Sequence, residues 1–511
     1  MAPRHFDTLI VGAGSAGCVL ARRLSETGAG TVGLIEAGGP PDDPAIADPA
    51  QWPFIQGRAY DWAYVTKPQP GTANRRHPWP RGKVLGGSSC LHAMAHVRGH
   101  RSDFDAWAAA GGPGWSFDAL LPFFKRSERF SGGASALHGA DGPLDVVLPD
   151  SAVHPLVRDY MAAAESLGFP KIGDHNGPSM IGTAPNSLTI RNGRRASNAD
   201  AYLPDGGAGL AALTVLTGIV VDHIAIEAGR ATAVEVVEVG ARRRIEAGRV
   251  VLCAGTIASP LILMRSGIGP ATELAAHGIA CTIDNPAVGG NLHDHLLAAG
   301  NLYAAARPVA PSRLQHSESL LYAERDPALP GPSVAVACVV LPAVSECFEA
   351  PPVGQAYSLL HGVTKPASRG RLSLGGAGPL DPPRLDPAYL TEAIDRRRFR
   401  DALALAREIG HAPALAPWRE REILPGPGVT AEAEIDAFIA RAAITHHHPV
   451  GTCRMGPPGD GVVDGDLAVH GVDGLFVADA SIMPEITTGP INAAITALAE
   501  RAADLLAGRP A

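Results

Sequence analysis

An α/β fold too large for one simple domain follows from three features of the sequence. Near the N-terminus an apolar run, a glycine-rich turn and a helical pattern lead into a second apolar run ending at Glu36, the order that builds a parallel sheet. In the middle, residues 213–253 alternate apolar and polar, with β-branched residues and Gly-Arg breaks, a pattern of meandering strands. The 511 residues exceed one ordinary domain several-fold, so two lobes or one large interwoven fold are expected.

Residues 7–11 read as the first strand, and GAGSAG follows at residues 12–17. Gly12 allows the tight turn, Gly14 lets the backbone approach a pyrophosphate, and Gly17 lets the next helix pack closely on the strands. That helix, residues 15–25, opens at Ser15 and carries Val19, Leu20 and Leu24 at helical spacing; phosphates rest on such an N-terminus. The strand TVGLIE ends on Glu36, where an acceptor for ribose hydroxyls belongs and a 2′-phosphate is repelled. The unit predicts a bound dinucleotide, and the same cradle serves nicotinamide and flavin dinucleotides alike. Further on, a buried strand at 250–253 precedes a helix at 255–263 with Pro260 in its first turn. From about 300 to 440 the chain shifts to Pro-bounded strands and a long helix at 394–408, a candidate second lobe. A strand at 474–478 and an amphipathic helix at 491–507 close the sequence.

Composition excludes several classes. Hydrophobic residues at 46% and charged residues at 18% permit a large core and argue against disorder or a coiled coil. The net charge of −8, with no basic block, argues against a nucleic-acid partner. Seven widely spaced cysteines without a CxxC pair suggest neither a zinc ribbon nor a disulfide framework and fit a reducing compartment. With no signal-peptide pattern and no long apolar run, no membrane association and a cytoplasmic location are expected.

Five blocks now carry a resemblance: GAGSAG with LIEAGG, RGKVLGGSSCLHAMAHVRGH at 81–100, AGTIASPLILMRSGIGP at 254–270, VGGNLHDH at 288–295, and HPVGTCRMG with LFVADASIMPEITTG near the end. In this order they resemble the glucose-methanol-choline (GMC) oxidoreductases across nearly the whole chain. The resemblance implies FAD as the dinucleotide, in a Rossmann-like domain built from residues 1–150, 195–300 and 440–511. Residues 151–194 and 301–439 are then an α+β substrate-binding domain whose antiparallel sheet roofs the flavin. It implies Gly12, Gly14, Ser15, Gly17 and Glu36 at the ADP end, and the Gly86, Gly87, Ser88, Ser89 turn along the pyrophosphate and flavin. Val220 falls beside the adenine and Asp479 on the ribityl chain. Where some members attach flavin covalently this chain has Leu91, with His92 next to it, so noncovalent FAD is expected and His92 is a candidate contact at the flavin edge.

Hydride transfer from an alcohol carbon requires removal of the hydroxyl proton by a base within hydrogen-bond reach, and histidine titrates in the useful range. AITHHHPVG contains three consecutive histidines. The one before Pro-Val-Gly, His448, matches the family's catalytic position, while His446 and His447 read as structural or lining residues. Consecutive side chains do not converge on one tetrahedral ion unaided, so no metal is expected. The family's second catalytic His or Asn falls on Pro490, which offers neither a side-chain donor nor an N–H. Either His448 works alone with Pro490 shaping the pocket wall, or Asn492 is shifted into reach; the first is favoured because Asn492 suits a helix N-cap. His293, Asp294 and His295 read as a structural, flavin-proximal loop, Arg81 and Arg98 as ion-paired scaffold, Met455 and Met483 as core. Members with a proline at this place suggest a small aromatic or heteroaromatic primary alcohol as substrate, with oxygen or another electron acceptor. The alternatives are a hydroxynitrile-lyase-like enzyme with structural FAD and a noncatalytic flavoprotein.

Overall fold

The computed structural model describes residues 5–28, 30–149 and 152–508. Strand His5–Val11 pairs in parallel with Val32–Ile35 on one side and Ala241–Leu252 on the other. Leu213–Leu216 continues the parallel sheet beyond Val32–Ile35, and Leu475–Val477 runs parallel to the end of Ala241–Leu252. Where they run side by side, at residues 9–11, 32–35 and 250–252, these strands are apolar and buried because helices cover them: Ser15–Glu26 packs on the first two and against Asn492–Leu506. The meander is an antiparallel unit of Ile219–Glu227, Arg230–Glu238 and the first half of Ala241–Leu252. One strand of 12 residues therefore belongs to both the parallel and the antiparallel parts.

A second, antiparallel sheet runs in the order Arg419–Leu424, Leu296–Ala305, Ala356–Val363, Val334–Val339, Ser319–Ala323, Gly182–Pro185, with Ala443–Thr445 beside Leu296–Ala305. Side chains alternate between its faces. Leu321, Val336, Cys338 and Leu359 join a core with helices Pro155–Ser166 and Ala393–His411. Leu297, Leu320, Ala337 and Leu360 line a cavity between the sheets.

The expected lobe limit at 300 falls inside strand Leu296–Ala305, and Ala443–Thr445 joins the same sheet, so chain from either side of the expected limits builds the roof. Pro260 lies beyond the first turn of Gly255–Arg265; no side chain caps that helix, and the last of its apolar positions run further than the sequence pattern indicated. Among the described residues no helix is long and apolar enough to cross a membrane.

Candidate active site

The cavity, about 610 Å³, is lined by both lobes. Its floor begins at the first glycine turn. Gly12 has φ +97°, and a Cβ there would lie 2.6 Å from the Cys253 carbonyl oxygen. A Cβ on Gly17 would lie 1.9 Å from the Gly12 carbonyl oxygen, whereas one on Gly14 would meet nothing nearer than the Gly87 Cα at 4.0 Å. Gly12 and Gly17 thus leave no room for a side chain within the chain's own packing, while Gly12 and Gly14 leave a strip of backbone open to the cavity. Gly14 and Ile491 cap helices Ser15–Glu26 and Asn492–Leu506 without side-chain hydrogen bonds. Both N-termini border the cavity, presenting first-turn N–H groups and the positive dipole ends that favour an anion.

Glu36, buried at the end of its strand, accepts from the Ala13 N–H at 3.0 Å and the Gly38 N–H at 2.9 Å. Burial pushes its carboxyl up to about 7. Val220, opposite Val237, sits on the edge strand of the sheet and borders the cavity. Asp479 also borders it, accepting from the Gly255 N–H at 2.8 Å, the Ser259 hydroxyl at 2.6 Å and the Ser481 N–H at 2.8 Å. In the second turn Gly87, Ser88 and His92 line the cavity. Gly86 and Ser89 lie behind it: the Ser89 hydroxyl donates to the Gly86 carbonyl at 2.6 Å and accepts from the Asn198 N–H at 3.0 Å. His92 Nδ1 accepts from the Met94 N–H at 3.0 Å, leaving its proton on Nε2, and burial pushes its pKa down to about 3.

The histidine cluster is built by two loops. Asp294 takes the His448 main-chain N–H on Oδ1 at 2.6 Å, and the Tyr389 and Thr445 hydroxyls on Oδ2 at 2.5 and 2.6 Å. His295 Nε2 lies 2.9 Å from the Thr364 carbonyl, and its Nδ1 lies 3.0 Å from His448 Nδ1. Burial, with His446 beside it, holds His448 well below the usual imidazole range, so its ring is neutral. His448 Nε2 has no hydrogen-bond partner among the described residues, and the ring borders the cavity. His446 borders it too, its ring centre 4.3 Å from that of His448.

The structural reading of His293–His295 gains a contact that no local pattern announces: Asp294 and His295 touch His448 directly, the two imidazoles pairing across 153 residues. Nor are the three ring sets dispersed. Nitrogens of His295, His446 and His448 lie within 4.8 Å of one another, because His295 arrives from another loop. Both nitrogens of His295 are engaged in hydrogen bonds, one to the Thr364 carbonyl and one to His448. Arg98 pairs with Glu128 at 2.6 Å. Arg81 makes no ion pair among the described residues and instead donates to the His447 carbonyl at 2.8 Å, in the left-handed turn where His447 has φ +65°.

Pro490 is buried in the cavity wall. The loop before it is held by the Trp107 indole on the Glu485 carbonyl at 2.9 Å, by the Ile486 N–H on His293 Nε2 at 3.0 Å, and by the Thr488 N–H on Asp103 at 2.6 Å. Asn492 is not an N-cap. Ile491 holds that position, and the Asn492 amide accepts from the Ser15 hydroxyl at 2.6 Å and donates to Asn198 Oδ1 at 3.3 Å.

Comparison with known proteins assigns this arrangement. Residues 6–297 and 366–499 match the N-terminal and C-terminal portions of the GMC oxidoreductase family. The chain belongs to the GMC oxidoreductases. It is 49% identical over 499 residues to a pyridoxine 4-oxidase of Microbacterium luteolum, covering 97% of this chain and 98% of the relative. The crystal structure of pyridoxine 4-oxidase from Mesorbium loti superposes with a TM-score of 0.96 at 52% identity, covering 99% of this chain and 100% of the other. A formate oxidase variant of Aspergillus oryzae, studied for FAD modification, gives a TM-score of 0.91 at 27% identity over 98% of each chain. As a GMC oxidoreductase the protein is an FAD enzyme acting on an alcohol. Its residues fit the cofactor: an open glycine strip, two uncapped helix N-termini and a buried acceptor at Glu36 lie along one cavity.

Proposed function

We propose that this GMC oxidoreductase oxidises the primary alcohol of a small heteroaromatic, pyridoxine-like substrate to the aldehyde, with His448 as general base and noncovalent FAD. The two relatives named for pyridoxine oxidation, at 49% and 52% identity, support the substrate class, and their being oxidases supports oxygen as the electron acceptor. One observation carries the role of His448: with its Nδ1 bonded to His295, its Nε2 is left as a free acceptor in the cavity.

FAD, when bound, supplies a hydride acceptor. Gly14, Ser15 and the Asn492–Leu506 N-terminus would hold its charged portions, Glu36 its ribose hydroxyls, Val220 the adenine end, Asp479 the ribityl chain, and Gly87 with Ser88 the stretch toward the flavin. Gly12 would border the ADP end beside Gly14, Gly17, Gly86 and Ser89 shape the two turns from behind, and His92 would face the flavin edge. His448 Nε2 takes the hydroxyl proton as the carbon gives up its hydride, which avoids a bare oxocarbenium. Pro490 closes the pocket without competing for the substrate oxygen. A ring that makes the carbinol carbon a ready hydride donor needs less stabilisation of that oxygen, which suits a site with a proline where others have a polar group. Leu91 has no nucleophile and His92 Nδ1 is spent on Met94, which supports noncovalent FAD. A division into an FAD-binding domain and a substrate domain is part of this reading, with strands Leu296–Ala305 and Ala443–Thr445 counted with the second sheet they pair in, as is a cytoplasmic location.

Anaerobic mixing with pyridinyl, benzylic, furanic and aliphatic alcohols tests it. Pyridinyl methanols are expected to bleach the flavin fastest, with peroxide formed on admitting air. Faster bleaching by aliphatic alcohols would overturn the substrate class, and cyanohydrin cleavage without bleaching would favour a lyase.

A further inference from the structure

The Thr364 carbonyl, His295 and His448 form one line of hydrogen bonds that ends on main chain and not on a carboxylate. A carbonyl oxygen only accepts, so His295 Nε2, at 2.9 Å, donates to it. Burial pushes the His295 pKa down to about 3, and a neutral imidazole carries a single proton. His295 Nδ1 is therefore a lone pair, and His448 Nδ1, 3.0 Å away, must be the donor. The neighbouring carboxylate does not compete: Asp294 spends its oxygens on the His448 main-chain N–H, Tyr389 and Thr445. His446, with its ring centre 6.2 Å from that of His295, makes no hydrogen bond to either ring. The anchor is itself clamped. Thr364 follows strand Ala356–Val363 and precedes Lys365, whose ammonium reaches Asp103 at 2.6 Å and the Ile486 carbonyl at 3.1 Å, tying the second sheet to the loop that carries Pro490.

We infer that His295 is a positioning residue for the oxidation, holding His448 in the Nδ1–H tautomer so that a proton-free Nε2 faces the alcohol. The inference rests on His448 being the base. In the step, the alcohol O–H bond breaks and its proton forms an N–H bond at His448 Nε2, while the hydride leaves carbon for the enzyme's FAD. His295 keeps its own proton and accepts from the same Nδ1–H before and after, so the imidazolium is met by a lone pair already in place. A second-layer hydrogen bond of this kind fixes tautomer and ring orientation.

Nitrogen-15 NMR of the histidine-labelled holoenzyme tests it, with the His448 resonances assigned by their loss in His448→Ala. The wild type is expected to show His448 protonated at Nδ1 and bare at Nε2. His295→Leu is expected to shift the proton toward Nε2 and to slow flavin reduction at saturating alcohol roughly 10- to 100-fold. FAD content and the alcohol concentration at half-maximal rate should stay close to wild type. His295→Asn, whose Oδ1 can accept from His448 Nδ1, should recover part of the rate. A wild-type His448 carrying its proton on Nε2 overturns the inference even if His295→Leu fails to fold, and so does His295→Leu reducing at the wild-type rate. A His448→Ala enzyme that still reduces normally would instead reject His448 as the base, whichever tautomer is seen.

Discussion

The Ser15 hydroxyl donates to Asn492 Oδ1 at 2.6 Å, joining the first residues of two helices that lie 477 positions apart. The bond ties both helix N-termini together beside the cavity and, with the Asn492 amide N–H given to Asn198, occupies both ends of the Asn492 side chain. Asn492→Ala is expected to weaken FAD retention, with a loss on the order of 1 kcal/mol from the broken hydrogen bonds, and to leave the reduction rate per bound flavin nearly unchanged. Flavin content after gel filtration and anaerobic reduction of the retained holoenzyme check this. A collapse of the reduction rate at full flavin content would return Asn492 to the catalytic set.

Gly14 and Gly17 should fail differently. An alanine methyl at Gly17 would sit 1.9 Å from a backbone oxygen, and a clash that fixed backbone cannot relieve destabilises by about 2–4 kcal/mol. Gly14 is extended, with φ −76°, and has room for a methyl within the protein. Gly14→Ala should therefore melt as apoprotein close to wild type yet lose FAD, whereas Gly17→Ala should melt early with or without cofactor. Thermal melts of the two apoproteins separate the cases.

Glu36 links cofactor binding to pH. Its carboxyl is raised from 4.5 to about 7 by burial, so between those values the native apoprotein holds a proton that the unfolded chain has released. Stability of the apoprotein from this group thus falls as pH rises from 4.5 to 7 and is then level. If ribose hydroxyls donate to the ionised form, FAD affinity rises as pH passes through about 7. Calorimetric titration of apoprotein with FAD between pH 6 and 8 should show this, and Glu36→Gln should flatten the profile.

Pro490 shapes the pocket without offering a hydrogen bond. Pro490→Asn is expected to change the ranking of alcohols by about tenfold, in favour of those with less activated carbinol carbons, since a donor near the substrate oxygen stabilises developing charge. Flavin content should hold. Loss of FAD with an unchanged ranking would move Pro490 from the substrate wall to the cofactor wall.

Local signals carried much of the fold. Glycine spacing and apolar runs located His5–Val11, Ser15–Glu26 and Val32–Ile35 to within a residue or two, because each is set by neighbours in sequence. The histidine next to Pro-Val-Gly was singled out by the family resemblance of its motif, and it borders the cavity. What stayed hidden depends on pairing over long distances: His295 reaching His448, Tyr389 reaching Asp294, and Leu296–Ala305 joining the second sheet across the expected lobe limit. Polar side chains in a loop look alike until the fold supplies their partners, which is why the contacts of Asp294 and His295 to His448 went unread and Arg81 read as one half of an ion pair.

In the proposed reaction one neutral imidazole, His448, removes the alcohol proton. Anaerobic stopped-flow reduction of His448→Ala by a pyridinyl methanol tests it most directly. The variant is expected to keep its yellow flavin and to reduce roughly 100- to 10,000-fold more slowly than wild type. Reduction at the wild-type rate in a fully flavin-loaded variant would contradict it.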